Sequence, residues 1–238
     1  MIKKEVEALS GLKHKNIVKL LDAVPRAEEQ QLIVVMEYLA GGELYEYWKR
    51  FKHRQMPERE VAEIMLQLAS ALDYCHNSRI IHRDIKFQNV ILLEQVDELP
   101  TTKTAPSKVH VKIADFGIFG SNRGTIAERH NAGSIKYMAP EVLQGDNASD
   151  PKIDIWSLGI LMYAMITGEY PFDGESREQI KEMVIGKNVN FTHQKHLLQN
   201  KKAGTQKGAS MLENASQRVS ILKSEIKLPD RRMTVDKQ

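Results

Sequence analysis

The chain has 238 residues, 42% of them hydrophobic, and a formal net charge of only +3 from 34 basic and 31 acidic side chains. That length and apolar content suit one domain, or one large lobe with additions, and exclude global disorder; the balanced charge, with no basic stripe, gives no sign of a nucleic-acid partner. A single cysteine, Cys75, excludes an internal disulfide and a cysteine-rich zinc site, and fits a reducing compartment, cytosol or nucleus.

The opening Met1-Ile2-Lys3-Lys4-Glu5 has no apolar run and is not expected to act as a secretory signal. Val6, Leu9 and Leu12 fall at helical spacing, which predicts a helix over residues 2–13. Runs of β-branched residues predict strands at 17–21 and 32–37. Ala40-Gly41-Gly42 then breaks the chain before a helix through Leu44, Trp48 and Phe51. Residues 58–77 form the clearest amphipathic pattern, with Val61, Ile64 or Met65, Leu68, Leu72 and Cys75 on one face. A strand pair is predicted at 90–93 and 109–114; the polar stretch 94–108 between them, with Pro100 and Pro106, predicts an exposed loop. The longest apolar stretch, 153–168, is shorter than the roughly 20 residues of a membrane span and carries Asp154. It predicts a buried central helix ended by Gly168. After about Asn190 the composition shifts: 193–210, rich in Lys, Gln and His, reads as a mobile insertion, and 209–227 as a last helix before Pro229. Strands first and then mostly helices predict an α+β protein.

Chemistry concentrates in His82-Arg83-Asp84-Ile85-Lys86-Phe87-Gln88-Asn89, followed by Asp115-Phe116-Gly117, Ala139-Pro140-Glu141 and Asp154-Ile155-Trp156-Ser157-Leu158-Gly159. A lone triplet arises easily by chance. The ordered set resembles the catalytic-loop, metal-binding and segment-closing motifs of eukaryotic protein kinases. The resemblance covers residue 1 to about 191 and returns more weakly at 229–234. It implies a protein-kinase-like fold: a partial small β lobe at 1–36, a hinge at 37–40 and a mainly helical lobe at 41–191. Residues 192–228 are then a divergent polar insertion and degraded helix, and 229–238 a remnant of the family's C-terminal motif.

The implied reaction is transfer of the ATP γ-phosphate, with Mg2+, to serine or threonine hydroxyls of a protein substrate. Such transfer needs positioning and charge neutralisation more than covalent help. By resemblance, Asp84 accepts or orients the proton of the attacking hydroxyl and Lys86 reaches the transferring phosphate. Asn89 and Asp115 offer hard oxygen ligands that suit magnesium. A lysine two positions after the catalytic aspartate goes with the serine/threonine type, and Ser134 sits where those kinases place a hydroxyl near Asp84; a plain turn serine is the alternative. Phe87 and Gln88 depart from the family's usual proline and frequent glutamate. Gln88, together with Ala164 in the central helix, removes the acids that some members use for substrate arginine.

On the nucleotide side, Met36-Glu37-Tyr38-Leu39 resembles the hinge, where the backbone of Glu37 and Leu39 would bond adenine with Met36 behind it. Glu43 stands where the family uses an acid for ribose or substrate arginine; the alternative is an acid favoured by a helix N-terminus. Glu5 occupies the position of the helix glutamate that pairs with a strand lysine gripping the phosphates. No glycine-rich G-x-G-x-x-G loop and no V-A-x-K strand occur in the sequence. Lys3 and Lys4, at i−2 and i−1, do not face Glu5. An N-terminally truncated kinase is therefore expected, either a catalytically impaired pseudokinase serving as an interaction module or an incomplete gene model.

Arg83 before Asp84 resembles kinases switched by activation-loop phosphorylation, with Thr125 as the preferred site and Ser121 and Ser134 as further hydroxyls. Glu141 and Arg232 look like an ion pair tying the activation segment to the C-terminal helices. Asp154 would cap the backbone of the catalytic loop, and Cys75 reads as core. A metal-dependent hydrolase using Asp84 and Asp115 would make the full order of kinase motifs a coincidence.

Overall fold

A computed structural model describes residues 10–26, 31–101, 109–116, 134–145 and 149–186. By internal contacts the chain divides into Met1–Asn190 and Phe191–Gln238; the second unit lies wholly outside the described residues. So do most of the predicted helix at 2–13, the polar stretch 193–210, the predicted helix 209–227 and the motif at 229–234. What remains of the first is short: helix is recorded at Ser10 and has ended by Gly11.

Among the described residues, two small antiparallel sheets carry the β structure. β1, Leu20–Arg26, pairs with β2, Gln31–Met36, with Leu20 opposite Met36, Val24 opposite Ile33 and an irregularity between Leu20 and Asp22. The strand predicted at 17–21 is thus displaced. Ile17 instead makes an isolated parallel bridge to Ile113, with the Val18 N–H on the Ile113 carbonyl at 2.9 Å. The short β-branched run is consumed in docking to the second sheet, and the ladder starts only where β2 is available as a partner. Pro25 sits inside β1; a residue without an N–H is tolerated where the strand presents an open edge.

The second sheet pairs β3, Val90–Leu92, with β4, Val111–Ile113, and Val90 faces Ile113. Both strands are trimmed relative to the pattern in the sequence. Leu93 N–H bonds His110 O at 2.9 Å and closes the base of the intervening loop. That loop is less exposed than predicted over its described part: Val96 and Leu99 pack against the core, and the Arg50 guanidinium bonds the carbonyls of Val96 and, at 2.8 Å, Asp97.

α1, Leu44–Lys49, follows the glycine pair and buries Leu44, Tyr47 and Trp48. It is shorter than predicted, because the chain turns at Phe51 into a 3-10 turn, Lys52–Arg54, where His53 has φ 54°. Gly41 has a steric reason: a Cβ there would lie 2.3 Å from Glu94 O and 2.5 Å from Leu92 Cβ. α2, Glu58–Asn77, buries Val61, Ile64, Leu68, Leu72 and Cys75 on the predicted face, plus Glu60, whose carboxylate accepts the Tyr47 hydroxyl at 2.9 Å. Each fully buried aliphatic side chain of this kind contributes about 1.5–3 kcal/mol, so this face dominates the helix's stability.

α3, Pro140–Leu143, and α5, Arg177–Ile185, pack together. α4, Lys152–Thr167, packs on α2 and ends at Gly168, whose φ of 84° is left-handed. A Cβ on Gly168 would also meet His53 O at 2.1 Å. The prediction of a buried central helix holds on one side only. Ile155, Met162 and Ile166 are exposed, since α2 and the 134–137 turn cover only the stripe through Ile153, Ser157, Leu161 and Ala164. Among the described residues no helix is long and apolar enough to cross a membrane.

Candidate active site

The loop between α2 and β3 has almost no ladder of its own, and its shape is imposed from outside. Just past the end of α2, Arg79 adopts φ 60°, and the Ile80 N–H returns to Cys75 O at 2.9 Å. Asp154, in the first turn of α4 and 1% exposed, then receives the backbone. Its Oδ2 accepts the His82 N–H at 2.9 Å and its Oδ1 the Arg83 N–H at 2.8 Å. His76 Nε2 meets the same Oδ2 at 2.8 Å. A carboxylate buried this deeply needs every such partner, because burial without hydrogen bonds costs several kcal/mol.

His82 forms the second anchor. Its Nε2 lies 3.0 Å from Ala114 O, and its Nδ1 accepts the Asp84 N–H at 3.3 Å. The two bonds together require a neutral ring with its proton on Nε2. Burial holds the His82 pKa below its ordinary 6.5, against the pull of the Asp154 charge and the Ala114 bond. The ring also packs on Phe116 at 4.6 Å between centroids. One imidazole thus joins the 82–89 loop to the segment after β4.

Between these anchors the charged side chains converge. Lys86 Nζ is 2.6 Å from Asp84 Oδ2, and Asn89 Nδ2 donates to that oxygen at 2.9 Å and to Asp84 O at 2.8 Å. Ser134 Oγ, 45 residues beyond Asn89 and buried, lies 3.4 Å from Lys86 Nζ. The Ala114 N–H bonds Asn89 O at 2.8 Å, which keeps Asp115 beside the end of β3. Arg83 and Asp115 both adopt left-handed backbone, φ 69° and 55°, and both side chains are exposed. An L-residue there costs about 1–2 kcal/mol, less for aspartate, so the surrounding bonds must impose it.

The segment joining β2 to α1 is anchored by a side chain. Glu37 N–H bonds Lys19 O at 3.0 Å, while Glu37 Oε1 accepts the Lys19 N–H at 2.7 Å and pairs with Lys112 Nζ at 2.6 Å. Partial burial alone would raise the Glu37 pKa; the Lys112 and Lys19 contacts outweigh it and hold the carboxyl below its ordinary 4.5. Met36 is about half exposed and Leu39 partly buried. Glu43 precedes α1 with its backbone bridged to Ile91, and its side chain makes no cap bond, so its acid is not explained as a direct cap. Glu141 is partly buried in the first turn of α3.

The structure therefore brings Asp84, Lys86, Asn89 and Ser134 together, with Asp115 adjacent and Asp154 behind them. Glu5, Thr125 and Arg232 lie outside the described residues, and with Arg232 goes the pair expected for Glu141. Sequence reasoning missed His76, His82, Lys19 and Lys112. A histidine opening the motif was visible; its double backbone contact was not. Ala164 is fully buried and Gln88 exposed, so no carboxylate occupies either position. Cys75 is buried, and burial with the nearby Asp154 charge pushes its thiol up to about 12, which suits core packing and not nucleophilic work.

The sequence model described as the protein kinase domain matches residues 1–236. A curated relative, the probable serine/threonine-protein kinase MARK-C of Dictyostelium discoideum, is 36% identical over 193 residues. The match covers 80% of this chain and 23% of the relative, so the chain spans less than a quarter of that protein's length.

Proposed function

The chain belongs to the protein kinase domain family, and on that premise we propose that it works as the catalytic region of a serine/threonine kinase. The observation that carries this reading is the grouping of Lys86 Nζ and Asn89 Nδ2 within 2.9 Å of one Asp84 carboxylate oxygen, with Ser134 Oγ 3.4 Å from the same ammonium. A substrate hydroxyl attacks the γ-phosphorus of ATP, the bond to the β,γ-bridging oxygen breaks, and ADP leaves. Asp84 orients the hydroxyl and takes its proton; Lys86, a compact cation, neutralises charge on the transferring group. Asn89 turns its amide nitrogen toward Asp84, so its carbonyl oxygen faces the other way. That oxygen and the exposed Asp115 carboxylate fit magnesium, which takes few protein ligands and shares phosphate oxygens. When bound, the ion neutralises phosphate charge.

At the hinge, the Glu37 N–H is committed to Lys19, which leaves its carbonyl for adenine, with the Leu39 backbone as second contact and Met36 behind. Glu43 faces ribose or substrate, and Glu5 orders the phosphate-gripping side. Arg83, exposed beside Asp84, is the partner for a phosphate on Thr125. The substrate is a protein serine or threonine; neutral Gln88 and Ala164 argue against a strongly basic recognition motif. The single, buried Cys75 suits cytosol or nucleus.

Calorimetric titration of the folded chain with Mg·ATP tests this, with Asp115→Gly alongside. Glycine removes the carboxylate without straining the left-handed backbone, as alanine would. Binding by the wild type that is lost in the variant at unchanged melting temperature is expected, followed by phosphorylation of a serine/threonine peptide library. Equal binding by both would refute the role given to Asp115.

A further inference from the structure

Residues 49–54 read Lys-Arg-Phe-Lys-His-Arg, four cations and a histidine without an acid. The cluster is local to the end of α1 and the 3-10 turn Lys52–Arg54, not a stripe along the chain. That turn is strained and clamped. His53 and Arg54 both have left-handed backbone, φ 54° and 57°, which L-residues adopt only where their surroundings impose it. Here the Arg54 N–H bonds Phe51 O at 2.8 Å, Gln55 Nε2 bonds Thr167 O at 3.1 Å, and the Met56 N–H bonds Met165 O at 2.9 Å. Lys52, His53 and Arg54 are all exposed, and among the described residues none of them pairs with a carboxylate. Glu46 and Asp173, acids on flanking elements, are engaged instead by Lys49 at 2.7 Å and Lys136 at 2.6 Å, and Glu43 stands at the far end of α1. A bent backbone thus holds two unpaired cations and an imidazole in fixed places on the surface.

Rings connect this turn to the catalytic loop. Arg54 Cζ stands 5.4 Å over Trp48, Trp48 stacks on Phe87 at 4.5 Å and 15°, and Phe87 directly follows Lys86. Tyr170 meets both rings edge-on, Trp48 at 6.0 Å and Phe87 at 6.4 Å. Over Tyr170 lies Lys136 Nζ at 4.8 Å, and Lys136 is two residues beyond Ser134 in the same 3-10 turn, Ser134–Tyr137. Both halves of the Asp84, Lys86 and Ser134 group therefore lead onto one aromatic cluster that carries a cation over each end. A polypeptide presenting a hydroxyl to Asp84 lays its neighbouring residues along this rim. Cations held in place favour carboxylates, most of all a guanidinium that can take both oxygens. They also attract acidic chains through solution over about 10 Å at 0.1 M salt.

We propose that the turn Lys52–Arg54, with Lys136 across the aromatic cluster, is a docking rim for acidic residues that flank the acceptor hydroxyl of the protein substrate. Lys52 and Arg54 are its specificity-determining side chains. The inference rests on the kinase reading above and gives it a substrate class.

Fluorescence anisotropy on the full 238-residue chain tests the rim without turnover. The probes are a peptide with one alanine between two runs of glutamate and its counterpart with glutamine throughout; neither can be phosphorylated. One exposed ion pair shifts an equilibrium by up to about fivefold. With two cations at work, the glutamate peptide is expected to bind about tenfold tighter at low salt, a preference that fades at about 1 M salt. In Lys52→Gln/Arg54→Gln the preference should fall below about twofold at unchanged melting temperature, and Lys52→Arg, which keeps the charge, should keep it. With serine in place of the alanine, the wild-type KM for the glutamate peptide should lie about tenfold below that for the glutamine peptide, with kcat values within about twofold. Equal affinity for the two alanine peptides overturns the rim. So does a preference that survives about 1 M salt, survives Lys52→Gln/Arg54→Gln, or is lost in Lys52→Arg. Preferential binding with no phosphorylation of either serine peptide counts against the kinase reading and leaves the rim supported; phosphorylation of both with equal KM does the reverse.

Discussion

The β1–β2 hairpin carries its own ladder of backbone hydrogen bonds and leaves Leu21, Val24, Ile33, Val35 and Met36 between 41% and 54% exposed. The loop from His82 to Asn89 is the reverse: it has little ladder, and groups from α1, α4, the segment after β4 and the 134–137 turn hold it. Among the described residues, the segments flanking the hairpin are tied to the second sheet chiefly by Glu37 with Lys112 and Val18 with Ile113. Regular hydrogen bonding alone gives a shape that tolerates exposure and substitution. Convergent buried polar contacts give one fixed arrangement of charges, and they fail together when one is removed. Chemistry that depends on ångström-scale placement belongs in the second kind of region.

The sharpest way to break the contrast is Asp154→Ala. It leaves the His82 and Arg83 N–H groups and His76 without their shared acceptor, and loss of a buried charged partner of this kind costs about 3–5 kcal/mol. Urea denaturation should show that loss; a change below about 1 kcal/mol would mean that the loop is self-supporting.

Acid should find the loop before it finds the hairpin's anchor. The folded chain holds the His82 pKa below 6.5, so below that pH the unfolded chain binds the proton more readily, and stability falls as pH drops from about 6.5 toward the folded value. The slope cannot exceed about 1.4 kcal/mol per pH unit for one group. His14 is lowered too, by burial and by Lys15, so the measurement is best made in His14→Gln. Glu37 has the opposite chemistry and a separate window: its contribution is present above pH 4.5 and is lost as pH falls through its depressed value. A denaturation midpoint flat from pH 7 to 5.5 would contradict a buried neutral His82.

The smallest effect is expected on the hairpin. Ile33→Thr and Val24→Thr, at a directly paired and exposed position, should each shift stability by under about 0.5 kcal/mol. Larger losses by thermal melting would show that the exposed face is covered in the working protein.

Much of this contrast follows what the sequence makes visible. α2 was legible because Val61, Ile64, Leu68 and Leu72 repeat at helical spacing, and β3 with β4 because both are β-branched and bounded by turn residues. The motif around Asp84 named the charged residues that meet. The start of β1 was not legible, since Ile17 and Leu20 look alike locally and only the distant Ile113 tells them apart. Nor was the anchoring of Glu37, whose partner Lys112 is 75 residues away. Phe87 read as a bare departure from the family pattern; its meaning lies in the rings of Trp48, Tyr45 and Tyr170, contributed by two other segments.

Cys75 turns the core into its own clock. It is the chain's single thiol, fully buried on α2, with its pKa pushed up to about 12. Alkylating reagents consume thiolate, so the closed molecule is nearly inert to them. The labelling rate therefore reads how often the α2–α4 interior opens, in a molecule carrying no introduced probe. Slow, uniform labelling means concerted opening of the lobe; a fast phase means that α2 loosens while the rest stays shut.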